Sequence, residues 1–245
     1  MKKTLITITG NWTESHSKNW IECESTWVPK LREKGFEVLI LMSNPHLDKD
    51  YEKIGNFFFS KCGDSMDYMY LKNHYYISKY LLDETDYDYR FHTDSDSFIH
   101  PERFIEFLED YTTTDPQDYV GCAIPYPQLN PQHPHKYIIT DPNRYASGGS
   151  GFLLSRKSHS YMVNDFFEEE HETLYCCDKI TGQLLRANGI NLFHDSRLLF
   201  ESKYKTIMVH HNGNNNPHIG DKDSFLAVQH FCNGHMQEII NELGI

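Results

Sequence analysis

The 245-residue chain lacks any run of about 18 apolar residues, the minimum that a membrane-spanning helix requires. Its six cysteines contain no Cys-x-x-Cys pair, and the adjacent Cys176 and Cys177 do not have the spacing of a disulfide framework. We therefore expect a reduced, cytoplasmic compartment for this protein. Internal repeats and a linker between independent domains are also lacking, so the length favours a single domain.

Basic residues are few, with 23 Lys and Arg against 35 Asp and Glu and a formal net charge of −12. This balance argues against broad electrostatic binding to nucleic acid or to an anionic membrane. A phosphate-binding loop is missing too, because the glycines of residues 146–151 are not followed by Lys and Ser or Thr. An anionic ligand would need a metal cation to bind to so acidic a chain.

What the chain does contain is an alternation of strand and helix patterns. Residues 5–9 are β-branched and alternating, residues 18–33 have helical spacing interrupted near Pro29, and residues 37–42 form a continuously apolar strand. A β–helix–β order with a buried second strand is typical of doubly wound α/β proteins. The sequence therefore predicts an α/β fold, a Rossmann-like mixed sheet flanked by helices.

The remaining patterns continue this alternation. They predict strands at 57–59, 89–93, 118–124, 152–154 and 206–211, and helices at 64–81, from Pro101, at 158–174, from Asp178, and from a cap at Asp221 or Asp223 through Leu243. Asp64 or Ser65 is the expected cap of the helix at 64–81. The proline-rich segment 125–144 has two interpretations, a binding lid or a plain surface excursion.

The acidic stretch Asp94-Ser95-Asp96 directly follows the predicted strand at 89–93. Two carboxylates one residue apart repel each other unless a cation lies between them. Open α/β sheets bind their ligands at the carboxyl edge of the strands, where this stretch is expected to lie. The sequence thus predicts a divalent-metal site there.

Four segments together resemble the Fringe and core-1 β1,3-galactosyltransferase families. Their order and spacing match, and they are Leu71-Lys72, His92 to Phe98, the glycine-rich Ala146 to Arg156, and Asp178 to Gly182 followed by Phe193-His194. The resemblance implies the GT-A type of fold, with a donor half in about residues 1–100 and an acceptor half in about 101–245. It also implies a glycosyltransferase that uses a nucleotide-sugar donor, with UDP-sugar expected.

The resemblance assigns roles to particular residues. Asp94 and Asp96 match the DxD carboxylates that hold Mn²⁺ or Mg²⁺ at the donor diphosphate, and Ser95 takes the middle position. Gly148 and Gly149 are expected to let the backbone approach the donor sugar or the acceptor. Lys72 is a candidate donor contact, or otherwise a solvated helix lysine.

The third metal ligand is expected to be a histidine. Val209 to Gly213 resembles the metal segment of the glycogenin-like glycosyltransferases, which favours His210, with His211 as the second choice and His194 as the third. Asn216 replaces the phosphate-binding lysine of that pattern.

Asp178 matches the catalytic base of the inverting Fringe type, and its alternative role is to cap its helix. Inversion is therefore expected, while the half-matched glycogenin-like segment keeps a retaining reaction open. A non-catalytic nucleotide- or glycan-binding protein is the competing hypothesis. A nucleotidyltransferase would need a further carboxylate pair and a basic triphosphate loop, and the sequence has neither. The acceptor stays open between a glycan, a protein and a modified DNA base, and we expect a bacterial or viral source.

Overall fold

The computed structural model describes residues 1–12, 14–124, 136–166, 177–199, 227–228 and 236–243. In its first hundred residues the regular elements are, in chain order, β1 (Thr4–Thr9), α1 (Glu14–Ser25), α2 (Trp27–Glu33), β2 (Glu37–Ser43), β3 (Tyr51–Ile54), β4 (Phe57–Ser60), a 3₁₀ turn (Met66–Tyr68), a π-helical segment (Leu71–Tyr75), α3 (Tyr76–Glu84), β5 (Tyr89–Thr93) and β6 (Phe98–Ile99).

The elements after residue 100 are shorter on average. They are α4 (Pro101–Glu109), a second π-helical segment (Asp110–Thr114), β7 (Tyr119–Gly121), β8 (Ala123–Ile124), β9 (Lys136–Ile139), β10 (Tyr145–Ala146), β11 (Phe152–Ser155), α5 (Arg156–Asn164), α6 (Cys177–Ala187), β12 (Leu192–Asp195), β13 (Leu198–Leu199), β14 (Ala227–Val228) and α7 (Met236–Leu243).

A nine-stranded mixed sheet carries the fold, with the strand order β3-β4-β2-β1-β5-β11-β7-β12-β9. The pairs from β4 to β5 are parallel, and β11 then pairs antiparallel with both β5 and β7. Because β5 and β11 are hydrogen-bonded neighbours, one sheet runs through both halves of the chain. Two smaller sheets, β10-β8 and β13-β14-β6, lie beside it.

The central strands are buried on both faces, as their apolar sequences predict. One large cluster packs Trp27, Val28 and Leu31 of α2 and Phe104 and Phe107 of α4 against β1, β2 and β5. A second cluster packs α5 and α6 against β11 and β12. Burial of this kind contributes roughly 1.5–3 kcal/mol for each large apolar side chain. The predicted mixed α/β fold is therefore confirmed.

Several local predictions need correction. The expected strand at 118–124 is divided into β7 and β8, which belong to different sheets. The expected helix at 64–81 is a 3₁₀ turn, a π-helical segment and α3 in succession, and no side-chain cap hydrogen bond is made at Ser65. Strands β3, β6, β9, β10, β12, β13 and β14 are additional to the prediction, since short strands give little periodicity to detect.

The break near Pro29 is confirmed, because α1 ends at Ser25 and α2 begins two residues before the proline. Most of the proline-rich segment, the predicted strand at 206–211, the end of the predicted helix at 158–174 and the caps Asp221 and Asp223 lie outside the described residues. The last helix is described as Met236–Leu243, and its predicted earlier part is wrong at residues 227–228, which form β14.

Candidate active site

The acidic loop, residues 94–96, begins where β5 ends at the carboxyl edge of the sheet. The Thr9 hydroxyl, on the last residue of the adjacent strand β1, donates a hydrogen bond of 3.0 Å to Asp94 Oδ1. On the other side, the thiol of Cys23 in α1 donates to the Ser95 carbonyl oxygen at 3.2 Å. The parallel pairing of β1 and β5 thus brings the anchors of the loop together, and Asp94, Ser95 and Asp96 are all partly exposed.

The glycine loop, residues 148–151, packs directly against the acidic loop. The Gly149 carbonyl oxygen accepts hydrogen bonds from the hydroxyls of Thr93, at 3.0 Å, and Ser97. Gly151 has a φ of +88°, and a Cβ there would lie 2.3 Å from Cζ of Phe91. Only glycine fits that position without strain, so the sequence of this loop is dictated by its contact with β5.

Asp178 joins the same arrangement from the first turn of α6. The Gly148 N–H donates to Asp178 Oδ2 at 2.7 Å, and a Cβ on Gly148 would lie 2.4 Å from Asp178 Oδ1. Burial raises the pKa of Asp178 to about 6, although the hydrogen bonds from Gly148 and Cys177 act in the opposite direction. A carboxyl with such a pKa is ionised at neutral pH and still basic enough to accept a proton.

His74 and Cys177 lie beside this carboxyl. One ring nitrogen of His74, the Sγ atom of Cys177 and a carboxylate oxygen of Asp178 all lie within 4.8 Å of one another. Burial, and then the charge of Arg90, lowers the pKa of His74 well below its usual range, so the ring is neutral. Burial raises the pKa of the Cys177 thiol, which is therefore protonated.

A buried polar cluster lies beneath both loops. Arg90, on β5, is fully buried, and its guanidinium donates to Thr7 Oγ1 at 2.8 Å, to His92 Nδ1 at 2.9 Å and to the Asn73 carbonyl oxygen. Burial lowers the pKa of Arg90 to about 9, which still leaves it charged at neutral pH. Among the described residues no carboxylate forms an ion pair with it.

Lys72, the candidate donor contact, is only 2% exposed and is not a solvated helix lysine. Its ammonium donates to the Gly10 carbonyl oxygen at 3.0 Å and to Asp64 Oδ1 at 3.1 Å. Gly10 directly follows β1, so the structure places Lys72 at the carboxyl edge of the sheet. Its contact with a donor stays a prediction.

Of the three histidines predicted as metal ligands, the described part of the chain includes His194 only. His210 and His211 lie outside the described residues. His194, the third choice, is fully buried in β12, and its Nδ1 accepts a hydrogen bond of 3.0 Å from the backbone N–H of Ala123. One of the two ring nitrogens of His194 is therefore already occupied by a hydrogen bond to the backbone of Ala123.

Sequence reasoning missed Thr9, Cys23, His74 and Cys177 as parts of the site. Thr9 ends a predicted strand, and the rule that ligands gather at the carboxyl edge was the signal that could have identified it. His74 and Cys177 gave no such signal. They come together with Asp178 because α6 packs on the first π-helical segment, Leu71–Tyr75.

Carboxylates after the central strand of a mixed α/β sheet, with a glycine loop and the partly exposed Asp178 beside them, agree with a glycosyltransferase of the GT-A type, and the family match supports this class. The particular family is the Fringe-like one: its model matches residues 13–200, and the chain belongs to it. No curated protein matches the sequence.

Two solved structures are similar to this chain at low identity. One is a glycosyltransferase involved in glycosylation of the major capsid of PBCV-1, with 13% identity, 98% of both chains covered and a TM-score of 0.45. Another is the inositol-1-phosphate CTP transferase from T. maritima, with 15% identity, 79% of this chain and 85% of that chain covered, and a TM-score of 0.46. Within the described residues, no helix has the length and apolar character needed to cross a membrane.

Proposed function

We propose that this glycosyltransferase moves a sugar from a UDP-sugar to an acceptor hydroxyl with inversion, and that Asp178 is the base. The observation that carries the proposal is the hydrogen bond of 2.7 Å from Gly148 to Asp178. Gly149, the next residue, is bound by Thr93 and Ser97 on either side of the acidic loop. Asp178 and the acidic pair therefore belong to one connected arrangement.

In the proposed reaction the acceptor oxygen forms a bond to the anomeric carbon as the bond to the diphosphate breaks. The electron pair of the broken bond leaves with the diphosphate, and the acceptor proton goes to Asp178. With a pKa of about 6, the carboxyl is ionised at neutral pH and can take that proton. Attack from the face opposite the diphosphate inverts the anomeric centre.

Asp94 and Asp96 fit a divalent cation by the chemistry of their donor atoms, because carboxylate oxygens suit hard ions such as Mn²⁺ and Mg²⁺. A bound cation would neutralise charge on the leaving diphosphate as a Lewis acid. The Thr9 hydroxyl holds Asp94 Oδ1 and so fixes the direction of that carboxylate. His210 is proposed as the third ligand, with His211 as the alternative.

Lys72 and the glycine loop complete the proposed donor site. Within the part of the chain that the structure describes, Gly10 and Asp64 accept two of the three N–H groups of the Lys72 ammonium, and we propose that the third donates to an oxygen of the donor. Ser95, Gly148 and Gly149 would approach the donor or the acceptor through their backbone atoms. A net charge of −12 makes such cationic contacts necessary for a diphosphate.

A donor screen tests this function. Nucleotide release and binding are measured for a panel of UDP- and GDP-sugars with Mn²⁺, with Mg²⁺ and with EDTA. We expect turnover of a UDP-sugar that depends on the metal. The anomeric configuration of the product, read by NMR, is expected to be inverted.

Each other outcome points to a specific alternative. Binding without turnover would favour a non-catalytic nucleotide- or glycan-binding protein, and a retained configuration would remove Asp178 from the role of base. Neither binding nor turnover with any nucleotide sugar would contradict the proposed function.

A further inference from the structure

We propose that Arg90 is a positioning residue that orients both sides of the candidate site through His74 and His92, an inference that rests on the proposed function. The guanidinium is fully buried on β5 and serves as a hydrogen-bond donor only. It reaches His92 Nδ1 at 2.9 Å and His74 Nδ1 at 3.5 Å. The family resemblance assigns no role to Arg90 or to His92, so these contacts have no assigned purpose.

The direction of these hydrogen bonds selects one tautomer of each ring. A guanidinium nitrogen donates and cannot accept, so the Nδ1 atom that faces it must be unprotonated. In a neutral imidazole the proton then lies on Nε2. An imidazolium would carry a proton on both ring nitrogens, so a guanidinium donor facing Nδ1 fits only the neutral form of each ring.

From His92 the hydrogen bonds lead to the acidic loop. Its Nε2 lies 3.5 Å from the Thr9 hydroxyl oxygen, and the Thr9 hydroxyl donates to Asp94 Oδ1 at 3.0 Å. With the proton on Nε2, every hydrogen bond in this series points the same way, from Arg90 through His92 and Thr9 to the Asp94 carboxylate. The series fixes that carboxylate at the edge of the sheet.

From His74 the second branch leads to the proposed base. His74 Nε2 is buried and has no hydrogen-bond partner among the described residues, and the ring lies beside Cys177 and Asp178. The tautomer selected by Arg90 places the ring proton on Nε2, and the ring lies beside the Asp178 carboxylate without a hydrogen bond to it among the described residues. Turned toward Asp178, this N–H would favour the ionised carboxylate electrostatically.

The same side chains could instead bind a transition metal, since imidazole, thiolate and carboxylate are all ligands of Zn²⁺. Such a site requires an unprotonated nitrogen facing the metal and usually an acceptor for the other ring N–H. His74 has a guanidinium donor at Nδ1, which is the reverse of that pattern. The geometry thus favours the positioning role over a metal site.

The first test is the tautomer of each ring, which does not depend on any donor sugar. Long-range ¹H–¹⁵N NMR of the ¹⁵N-labelled full chain distinguishes protonated from unprotonated ring nitrogens, and the variants His74→Gln and His92→Gln assign the signals. We expect both rings to carry their proton on Nε2. In Arg90→Met, which removes the donors, we expect this preference to be lost.

A proton on Nδ1 of either ring in the unaltered protein would overturn the proposal. So would stoichiometric Zn²⁺ binding that shifts the ring signals of His74. If the Arg90 variant fails to fold, the spectrum of the unaltered protein still decides the question.

The second test removes the Thr9 hydroxyl from the series of hydrogen bonds that leads from Arg90 through His92 to Asp94. Thr9→Val keeps the shape of the side chain, and we expect it to weaken nucleotide-sugar binding about tenfold, measured by calorimetry. Thr4→Val is the matched control on the same strand, because the Thr4 hydroxyl donates to the Lys2 carbonyl oxygen far from the site. The affinity of the Thr4→Val variant for the nucleotide sugar should be unchanged.

Equal affinity in Thr9→Val and the unaltered protein would overturn the role of the series. If the unaltered protein binds no nucleotide sugar, the proposed function fails, while the histidine tautomers still decide the role of Arg90.

Discussion

The proposed donor half, about residues 1–100, and the proposed acceptor half, about residues 101–245, place their site residues in different ways. In the donor half, strands β1 and β2 are six and seven residues long and almost wholly buried, and the acidic loop directly follows β5. In the acceptor half, β7 and β12 have three and four residues. There the important contact joins Gly148 to Asp178, thirty residues apart.

The difference shows which parts of the site depend on local chain geometry. A carboxylate directly after a long parallel strand is positioned by the pairing of that strand with its neighbours. The Asp178 carboxylate is positioned by a loop with room for its oxygen only because residue 148 is glycine. The donor side should therefore control binding, and the acceptor side should control the chemical step.

The largest expected effect separates these two roles. Asp178→Asn should lower kcat by about 10²- to 10⁴-fold, since a base contributes that much, and should leave donor affinity unchanged. Asp94→Asn should weaken donor binding instead. Turnover assays and calorimetry measure both, and the exposed Asp115→Asn is the control. Full activity of Asp178→Asn would refute its role as base.

A smaller effect is expected from the glycine that faces the base. Gly148→Ala places a Cβ 2.4 Å from Asp178 Oδ1, so the carboxylate must move, and kcat should fall by about 10²-fold. The control is Gly35→Ala, at a φ of +88° with open space around it, which should cost about 1 kcal/mol of stability without loss of turnover. Equal kcat values in the two variants would show that Asp178 does not need this contact.

Stability should distinguish the buried lysine of the donor half from an exposed one. Lys72→Met leaves Asp64, with a 26% exposed side chain, without its partner, and should lower the free energy of unfolding by about 1–3 kcal/mol. Lys157→Met breaks an exposed pair with Asp118 and should cost no more than about 1 kcal/mol. Urea unfolding measures both, and equal losses would mean that burial of Lys72 is unimportant.

The smallest expected effect is a pH dependence. With a pKa of about 6 for Asp178, activity should be half of its plateau value near pH 6 and fall further in acid, because only the ionised carboxyl accepts a proton. The folded state holds this proton more tightly than the unfolded state. Asp178 should therefore reduce stability as the pH rises from about 4 to 6, with no further change above. An acidic limb centred near pH 4 would contradict the raised pKa.

Much of the donor half was predictable from the sequence. Strands β1 and β2 follow from their apolar, β-branched runs and β4 and β5 from their aromatic residues, and the position of the acidic loop follows from their parallel order. The acceptor half was less predictable from the sequence. Residues 118–124, for example, were predicted as one strand but form β7 and β8 in two different sheets. Strands of two to four residues carry too few positions for a periodic signal, so their pairing depends on partners far away in the chain.

The sequence by itself determined the mixed α/β fold and the identity of the carboxylates and glycines, because apolar periodicity and residue chemistry are local properties. Only the tertiary structure decided that Gly148 bonds Asp178, that Lys72 is buried against Asp64, and that Arg90 reaches His74 and His92. These contacts depend on which side chains share a desolvated space. There, burial raises the pKa of Asp178 and lowers the pKa values of the histidines, a result that no spacing along the chain specifies.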